Sequence, residues 1–176
     1  MEIWDLYDKN GNKTEKTWER RFGQNNLIPE GYYHLVVDIL VRHTDGTYLL
    51  TKRSDDKDIY PGYWEASAGG SALSGEEPLT AAKRELFEET GLTSDDFRLI
   101  SHTFRDPSRS MFYSYLAIVD APKDSVVLQD EETVDYKWVD DAGLIAYTES
   151  DLAIQTHNAR YADLIDEIRA EINKNP

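Results

Sequence analysis

The stretch from Gly70 to Leu92 constrains this chain more than any other, because it predicts a helix with two chemically different faces. Pro78 suits the first turn of a helix, and Gly91 suits its C-terminal stop. Between them, apolar residues recur at the spacing of one buried helical stripe. The stripe consists of Leu79, Ala82 and Leu86. The pattern therefore predicts a helix over about residues 77–90.

The second face of this helix carries three carboxylates. Glu85, Glu88 and Glu89 stand at i, i+3 and i+4, which places their Cβ atoms roughly 5–6 Å apart. Like charges so close repel unless a cation neutralises them, and oxygen ligands suit hard ions such as Mg²⁺ or Mn²⁺. Just upstream, the glycines of Gly69-Gly70-Ser71 allow the backbone to approach an ion or a phosphate closely. The sequence thus predicts a metal site where a loop enters a helix.

A simpler interpretation of the same face is a solvated helix surface. Arg84 and Glu88 have the i, i+4 spacing of an ordinary surface ion pair. An isolated glutamate-rich helix would favour that interpretation. The preceding Gly69-Gly70 turn and the full spacing favour the metal site.

These residues resemble the Nudix box, G-x5-E-x7-R-E-U-x-E-E-x-G-U, in which U is aliphatic. Every specified position of the box is present in this chain. The positions are Gly70, Glu76, Arg84, Glu85, Leu86, Glu88, Glu89, Gly91 and Leu92. The resemblance implies a divalent-metal-dependent hydrolase that cleaves a small nucleoside diphosphate linked to another group, X, or a related diphosphate. It also implies a Nudix fold, an α/β/α sandwich around a central mixed sheet.

The resemblance assigns a role to each residue of the box. Glu85, Glu88 and Glu89 would be ligands of Mg²⁺ or Mn²⁺, together with the Gly69 carbonyl. Arg84 would orient Glu85 through a charge-assisted hydrogen bond. The positions with a structural role would be Gly70, Glu76 and Gly91.

The general base is left open between a glutamate of the box and a distant carboxylate. The acidic run before a predicted strand at residues 133–139 offers Glu131 or Glu132 as that base or as a further metal ligand. The alternative is that both are solvated loop residues.

A narrower resemblance covers Leu49 to Ser71, which is similar to isopentenyl diphosphate isomerase and its hydrolase-like Nudix relatives. Alignment on Pro61 to Trp64 places the isomerase cysteine at Gly69 and the neighbouring metal-binding histidine at Ser71. Because neither residue is kept, we expect no isomerase activity. The same alignment implies that Arg53 and Lys57 bind the diphosphate, and two cations suit a polyanion. The alternative is that they are surface charges balancing nearby aspartates.

Composition excludes several other classes of protein. The chain has 19 basic and 34 acidic residues, a net charge of −15, which argues against a nucleic-acid groove. It has no cysteine, so disulfides and thiolate chemistry are excluded. No long apolar run or signal peptide is apparent, so we expect no membrane partner and a cytoplasmic location.

The order of predicted elements indicates an α+β or three-layer α/β/α fold. Alternating apolar residues and turn signals predict strands before and after the central helix, and an apolar stripe predicts a last helix. The predicted strands lie near residues 3–6, 33–41, 48–51, 97–104, 111–119 and 133–139, and the last helix spans about residues 150–173, with Tyr161, Leu164, Ile165, Ile168 and Ile172 as its stripe.

We divide the chain into an N-terminal extension, residues 1–30, and a Nudix hydrolase domain, residues 31–176. The extension contains a predicted hairpin around Lys9 to Asn12. It would serve as a homodimer contact, as a lid over the substrate, or as a simple extension of the sheet edge.

Two questions of function stay open from the residues alone. Aromatic and cationic residues that could stack on the X group are Tyr32, Tyr33, Trp64, Phe104, Arg105 and Tyr113. The competing functions are a catalytically silent Nudix-fold module that senses or binds a nucleotide, and a scaffold that has lost its chemistry. The intact carboxylates argue against both, because a protein without a metal need not keep a repulsive cluster.

Overall fold

The structure, a computed structural model, describes residues 2–20, 28–57, 59–130 and 132–174. Within these residues it has nine β-strands and four α-helices. The strands are β1 (Ile3–Tyr7), β2 (Lys13–Glu19), β3 (Tyr33–His43), β4 (Tyr48–Arg53), β5 (Trp64–Ala66), β6 (Ala68–Ser71), β7 (Asp96–Arg105), β8 (Ser110–Val119) and β9 (Thr133–Val139). The helices are α1 (Pro78–Thr90), α2 (Asp141–Thr148), α3 (Gln155–Asn158) and α4 (Ala162–Lys174). All six predicted strands are confirmed.

The strands form one mixed sheet built around β3. This strand pairs antiparallel with β1, β4 and β6, and parallel with β8 along its length. The outer pairs, β1 with β2, β4 with β5 and β9, and β7 with β8, are antiparallel. Strands β5 and β6 were not predicted, because they are three and four residues long and their stretch is rich in glycine.

Helices cover both faces of the sheet. On one face, Ala82 and Leu86 of α1 pack into a core with Val37 and Met111. On the other face, residues of α2 and α4 pack with the alternate side chains of β3, β4 and β8. They are Leu144, Tyr147, Leu164, Ile165 and Ile168. The predicted α+β fold, an α/β/α sandwich with a central mixed sheet, is confirmed.

Helix α1 begins and ends where the sequence predicts. Pro78 occupies its first turn, and Gly91 ends it in the left-handed conformation with φ of 69°. The predicted burial of Leu79 is wrong, because this side chain is 43% exposed and the buried stripe starts at Ala81. Helical periodicity specifies a face, but it does not specify where along that face the covering sheet ends.

The prediction of one C-terminal helix over residues 150–173 is also wrong. The segment contains the short helix α3, a 3-10 turn at Ala159–Tyr161 and then α4. Helix α2, which precedes it, was not predicted. Arg160, within the 3-10 turn, is buried and reaches Asp38 on β3, a contact that no local pattern indicates. Ile172 is 37% exposed, whereas the other four residues of the stripe are buried.

The predicted N-terminal hairpin is confirmed, and it extends the central sheet. Strand β1 pairs with β2 on one side and with β3 on the other, where Leu6 lies opposite His34. At the turn, the Asp8 carboxylate accepts hydrogen bonds from the backbone amides of Asn10 and Asn12. None of the helices in the described part of the chain has both the length and the apolarity needed to span a membrane.

Candidate active site

Strand β6 brings two glycines against neighbouring groups that leave no space for a side chain. A Cβ atom on Gly69 would lie 2.7 Å from the carbonyl oxygen of Val37 on β3. A Cβ atom on Gly70 would lie 2.4 Å from the carboxylate carbon of Glu85. The backbone contact requires a glycine at position 69, whereas a side chain at position 70 would displace the carboxylate of Glu85, a predicted metal ligand.

Arg84, in the middle of α1, is the centre of a polar network that joins the helix to the loop before it. Its Nε and Nη2 atoms donate to the two Glu76 oxygens at 2.8 and 2.9 Å. Its Nη1 atom donates to Glu85 at 2.8 Å and to Glu88 at 2.9 Å, and Nη2 also donates to the Ser71 carbonyl at 3.1 Å. One planar guanidinium thus joins the loop, the predicted structural glutamate and two predicted metal ligands.

Glu76 closes the loop that leads into the helix. Its Oε2 atom accepts a hydrogen bond from the Leu73 amide at 2.8 Å. The hydrogen bonds from Arg84 hold the pKa of Glu76 below its usual value. Glu76 thus joins the Leu73 amide of the loop to Arg84 of the helix, and its structural role stays a prediction.

Glu85 and Glu89 are carboxylates in an unfavourable environment. Burial raises the pKa of Glu85, although Arg84 opposes that shift. The pKa of Glu89 is raised well above its usual value by burial and by the negative charges of Glu65 and Glu85. Its Oε2 atom accepts one hydrogen bond, from the Gly69 amide at 3.1 Å. Without further positive charge, this pair favours uptake of a proton.

The donor set of this region fits a hard divalent cation. Glu85, Glu88 and Glu89 lie on one side of α1, beside the Gly69 backbone, and supply only oxygen ligands. Arg84 holds an oxygen of both Glu85 and Glu88, and within the described residues no three acidic or histidine side chains already converge as a cation site. Cation binding would therefore have to redirect these carboxylates. Their roles as metal ligands stay a prediction.

The three carboxylates line a cleft of about 470 Å³. Its remaining walls come from the N-terminal hairpin, from the end of β4 and the loop that follows, from β6 and from the loop before β9. These wall residues are Glu2, Trp4, Arg20, Arg53, Lys57, Gly69, Gly70, Ser71, Leu73, Arg84, Gln129 and Glu132. The cleft brings positive and negative side chains together over the predicted metal ligands.

Arg53 and Lys57, the two predicted diphosphate-binding residues, both line this cleft. Arg53 donates from Nη1 to both oxygens of Glu65, at 3.1 and 3.2 Å. Lys57 pairs with Glu132, whose backbone carbonyl accepts from the Ser54 amide at 2.9 Å. Burial lowers the pKa of Lys57. These contacts hold both cations at the cleft, and their diphosphate-binding role stays a prediction.

Of the two predicted distal carboxylates, Glu132 lines the cleft. Glu131 lies outside the described residues. Whether either of them serves as general base or metal ligand stays a prediction.

Several residues at or beside the cleft were not predicted as site residues, among them Glu65 and three residues of the hairpin. Glu65 on β5 interacts electrostatically with Glu89 and raises its pKa, while Glu2, Trp4 and Arg20 line the cleft from the hairpin. Glu65 reaches the site because it lies opposite Thr51 in the β4–β5 pair. No local motif marks these residues, because their positions depend on strand register.

The predicted stacking residues lie elsewhere among the described residues. None of the six lines the cleft, and two of them, Phe104 and Arg105, line a separate cavity of about 260 Å³. Phe112 and Arg160 also line that cavity, and the Arg160 guanidinium lies 4.1 Å from the centroid of the Phe112 ring.

A sequence model of the NUDIX domain matches residues 32–158. An uncharacterized Nudix hydrolase of Listeria innocua is 38% identical over 143 residues, covering 79% of this chain and 80% of the relative. The nucleoside triphosphatase NudI of Escherichia coli is 37% identical over 115 residues, covering 58% of this chain and 79% of NudI.

The fold also matches solved structures. The crystal structure of DR0079 from Deinococcus radiodurans has a TM-score of 0.69 and 22% sequence identity, covering 96% of this chain and 98% of that one. These matches do not confirm the narrower resemblance to the isomerases, which stays an interpretation of Leu49 to Ser71. The domain match and the sequence relatives confirm the broader prediction: the chain belongs to the Nudix hydrolase family.

Proposed function

We propose that this protein hydrolyses a diphosphate linkage in a small nucleoside diphosphate or triphosphate derivative, with Mg²⁺ or Mn²⁺ as cofactor. The observation that carries the proposal is the Arg84-ordered carboxylate cluster in a cleft that also contains Arg53 and Lys57. The 37% identity to a nucleoside triphosphatase supports nucleotides as the substrate class.

The residues that would hold the cation are Glu85, Glu88 and Glu89, with the Gly69 carbonyl. When bound, a divalent ion shields the charge of the diphosphate and lowers the pKa of a water molecule. The residues of the chain supply the rest of the chemistry. Arg84 keeps Glu85 and Glu88 oriented, and Arg53 and Lys57 bind phosphate oxygens by exchanging part of their contact with Glu65 and Glu132.

A carboxylate must also accept the proton of the attacking water. Glu89 is one candidate, because burial and the negative charges of Glu65 and Glu85 raise its pKa and so strengthen it as a proton acceptor. Glu131 and Glu132, before β9, are the alternative bases. A base must lie within hydrogen-bond reach of the water in the substrate complex, and that geometry distinguishes the candidates.

The X group or the nucleobase would occupy the cavity beside Phe112. Val36 on β3 is paired with Ser71 of β6 on one side and with Phe112 of β8 on the other. The three residues therefore lie side by side across the sheet, and their side chains point to the same face. Two strand spacings separate Ser71 from Phe112, about 10 Å. That distance suits a nucleotide whose phosphates lie in the cleft and whose flat group contacts the Phe112 ring.

The test is release of phosphate or nucleotide from a panel of substrates, with Mg²⁺ or Mn²⁺. The panel contains nucleoside di- and triphosphates, nucleoside diphosphate sugars, dinucleoside polyphosphates, dinucleotide cofactors and coenzyme A. We expect turnover of one class by the wild type and by Glu171→Gln, whose exposed carboxylate lies on α4. The Glu89→Gln variant should keep its fold and lose at least about 100-fold in kcat.

Undiminished hydrolysis by Glu89→Gln would contradict the assignment of this residue. Tight binding of a nucleotide with no release of phosphate or product, in Mg²⁺ and in Mn²⁺, would favour the sensing module instead. Absence of both metal and nucleotide binding would favour the scaffold.

A further inference from the structure

The N-terminal hairpin lies outside the matched NUDIX domain, yet it is bonded to the loop of the Nudix box. Asp5 on β1 is buried, with 7% of its surface exposed. Its Oδ1 atom accepts from the Ser74 hydroxyl at 2.7 Å, and its Oδ2 atom accepts from the Gly75 amide at 2.7 Å. The Ile3 carbonyl accepts from the Ser74 amide at 2.7 Å. Three short hydrogen bonds therefore join the hairpin to two consecutive loop residues.

These two residues form the tip of the turn that carries Glu76. The Glu76 amide donates to the Leu73 carbonyl at 3.0 Å, and Gly75 has a φ of 90°. Glu76 then holds Arg84 by two hydrogen bonds, and Arg84 holds Glu85 and Glu88. A continuous series of polar contacts thus runs from Asp5 to two of the predicted metal ligands.

We infer that Asp5 is a positioning residue of the active site: it orients the Glu76 turn, and through Arg84 it orients Glu85 and Glu88. The inference rests on the proposed function. A carboxylate is suited to this role because it accepts from both loop donors at once, and the hydrogen bonds of a charged acceptor are strong. Lys13 contacts Oδ2 at 2.6 Å and balances the charge. The hairpin accordingly helps to orient the predicted metal ligands through Asp5.

The chain offers a matched control within the same hairpin. Asp8 also accepts backbone hydrogen bonds, from Asn10 and Asn12, but these stay within the turn between β1 and β2. Asp5→Asn and Asp8→Asn therefore remove the same charge from the same element. Only Asp5→Asn places an amide donor beside the donors of the box loop.

The first experiment compares the two variants in Mn²⁺ affinity, measured by electron paramagnetic resonance, and in kcat and KM. We expect Asp5→Asn to lower Mn²⁺ affinity and kcat about tenfold each, since residues that orient metal ligands have effects of 10–100-fold, with KM within about threefold of the wild type. Asp8→Asn should match the wild type in both. Equal losses in the two variants, or no loss in Asp5→Asn, would refute the positioning role.

Hydrogen exchange tests the same inference without metal or substrate. The Ser74 and Gly75 amides should exchange faster in Asp5→Asn than in the wild type, and at the wild-type rate in Asp8→Asn. Unchanged exchange in Asp5→Asn would overturn the inference even in an active enzyme. Faster exchange in a protein without turnover on any substrate would uphold the orientation of the turn and count against the proposed function.

Two further variants separate the contacts of Asp5. Lys13→Met removes the ion pair but neither hydrogen bond from the loop, so it should lower kcat by a smaller factor than Asp5→Asn. Ser74→Ala removes one of them and should lower kcat by a smaller factor than Asp5→Asn. The double variant Asp5→Asn with Ser74→Ala should resemble Asp5→Asn alone, because the two residues share one interaction. A fall in kcat equal to the product of the falls in the two single variants would contradict the shared contact.

Discussion

At the scale of single residues, the geometry of the site depends on two residues, Arg84 and Gly70, that need not touch the reacting phosphorus. Arg84 binds four partners, and its donors match their positions because the guanidinium is planar and carries five N–H groups. Gly70 lacks a side chain where the Glu85 carboxylate lies. One residue works by its fixed shape, and the other by having no Cβ atom.

Replacement of Arg84 by lysine tests whether the planar shape of the guanidinium is needed. Lysine keeps the charge, but its single ammonium cannot bond Glu76 twice while it also reaches Glu85 and Glu88. We expect kcat to fall roughly 10–100-fold with little change in KM. Steady-state kinetics would check this, with Arg169→Lys, at an exposed ion pair with Glu149, as the matched control. Similar kinetics for the two variants would contradict the role of Arg84.

Replacement of Gly70 by alanine tests whether the missing side chain at this position is needed to place Glu85. The added methyl group would lie 2.4 Å from the Glu85 carboxylate carbon, so the glutamate or the strand must move. We expect a loss of stability of about 1–3 kcal/mol from the added bulk, and a loss of Mn²⁺ affinity. Chemical denaturation and Mn²⁺ titration would measure the two effects. Wild-type Mn²⁺ affinity would show that the position of Glu85 is not critical.

At the scale of elements, strand register decides which residues meet at the site. The β3–β6 pair places Gly69 opposite Asp38, and the parallel β3–β8 pair places Phe112 in the same row as Ser71. The cleft and the Phe112 cavity therefore lie at neighbouring positions on the sheet. Arg160 borders the cavity and is held there by Asp38, with hydrogen bonds of 2.5 and 2.9 Å.

The proposed place of the X group predicts how Phe112→Leu will behave. The change keeps an apolar side chain but removes the flat ring on which a nucleobase would stack, a contact of about 1–3 kcal/mol. We expect KM for a nucleotide substrate to rise about tenfold, with the inhibition constant of inorganic pyrophosphate unchanged. Phe87→Leu, at an exposed position of α1, is the control. An equal loss of affinity for the nucleotide and for pyrophosphate would show that the X group does not bind beside Phe112.

At the scale of the whole molecule, two histidines with lowered pKa values, the buried His34 and the half-buried His157, make the fold sensitive to acid. Burial lowers the pKa of His34 to about 4; this residue stacks on Trp4, and its Nδ1 atom contacts the Arg109 carbonyl. Burial also lowers the pKa of His157 to about 4, in a region that contains Asp38, Arg160 and Glu65. Both histidines are therefore neutral in the native state at neutral pH.

The direction of the resulting pH dependence follows from these shifts. In the unfolded chain, the histidines take up protons near their ordinary pKa of 6.5, whereas the native state does so only near 4. The unfolded state thus binds more protons between these values, and stability falls as pH drops from about 6.5 to about 4. Each histidine contributes roughly 3 kcal/mol to that loss.

His34→Gln isolates one of the two contributions. Urea denaturation at pH 7 and pH 4.5 should show a smaller loss of unfolding free energy in the variant than in the wild type, by roughly 2–3 kcal/mol. The variant can be less stable than the wild type at pH 7 without affecting this difference. Equal losses in both proteins would show that His34 titrates normally in the native state.

The sequence by itself determined the family, the order of the predicted strands and the bounds of α1. These features are local: the box has fixed spacings, strands alternate with a period of two, and Pro78 and Gly91 mark the helix ends. The same local patterns identified the metal-binding candidates Glu85, Glu88 and Glu89. The resemblance of Leu49 to Ser71 to the isomerase-like relatives indicated Arg53 and Lys57, which line the cleft.

Only the tertiary structure decided which distant residues complete the site. Strand pairing brings Arg20 to the cleft and brings Glu65 close enough to Glu89 to raise its pKa. Asp5 reaches the box loop across 70 positions of the chain. It likewise decided that Arg160 is buried, so that the predicted C-terminal helix is interrupted before α4. The physical reason is that register and burial depend on contacts between segments remote in sequence, whereas helix ends and motif spacings depend on neighbouring residues.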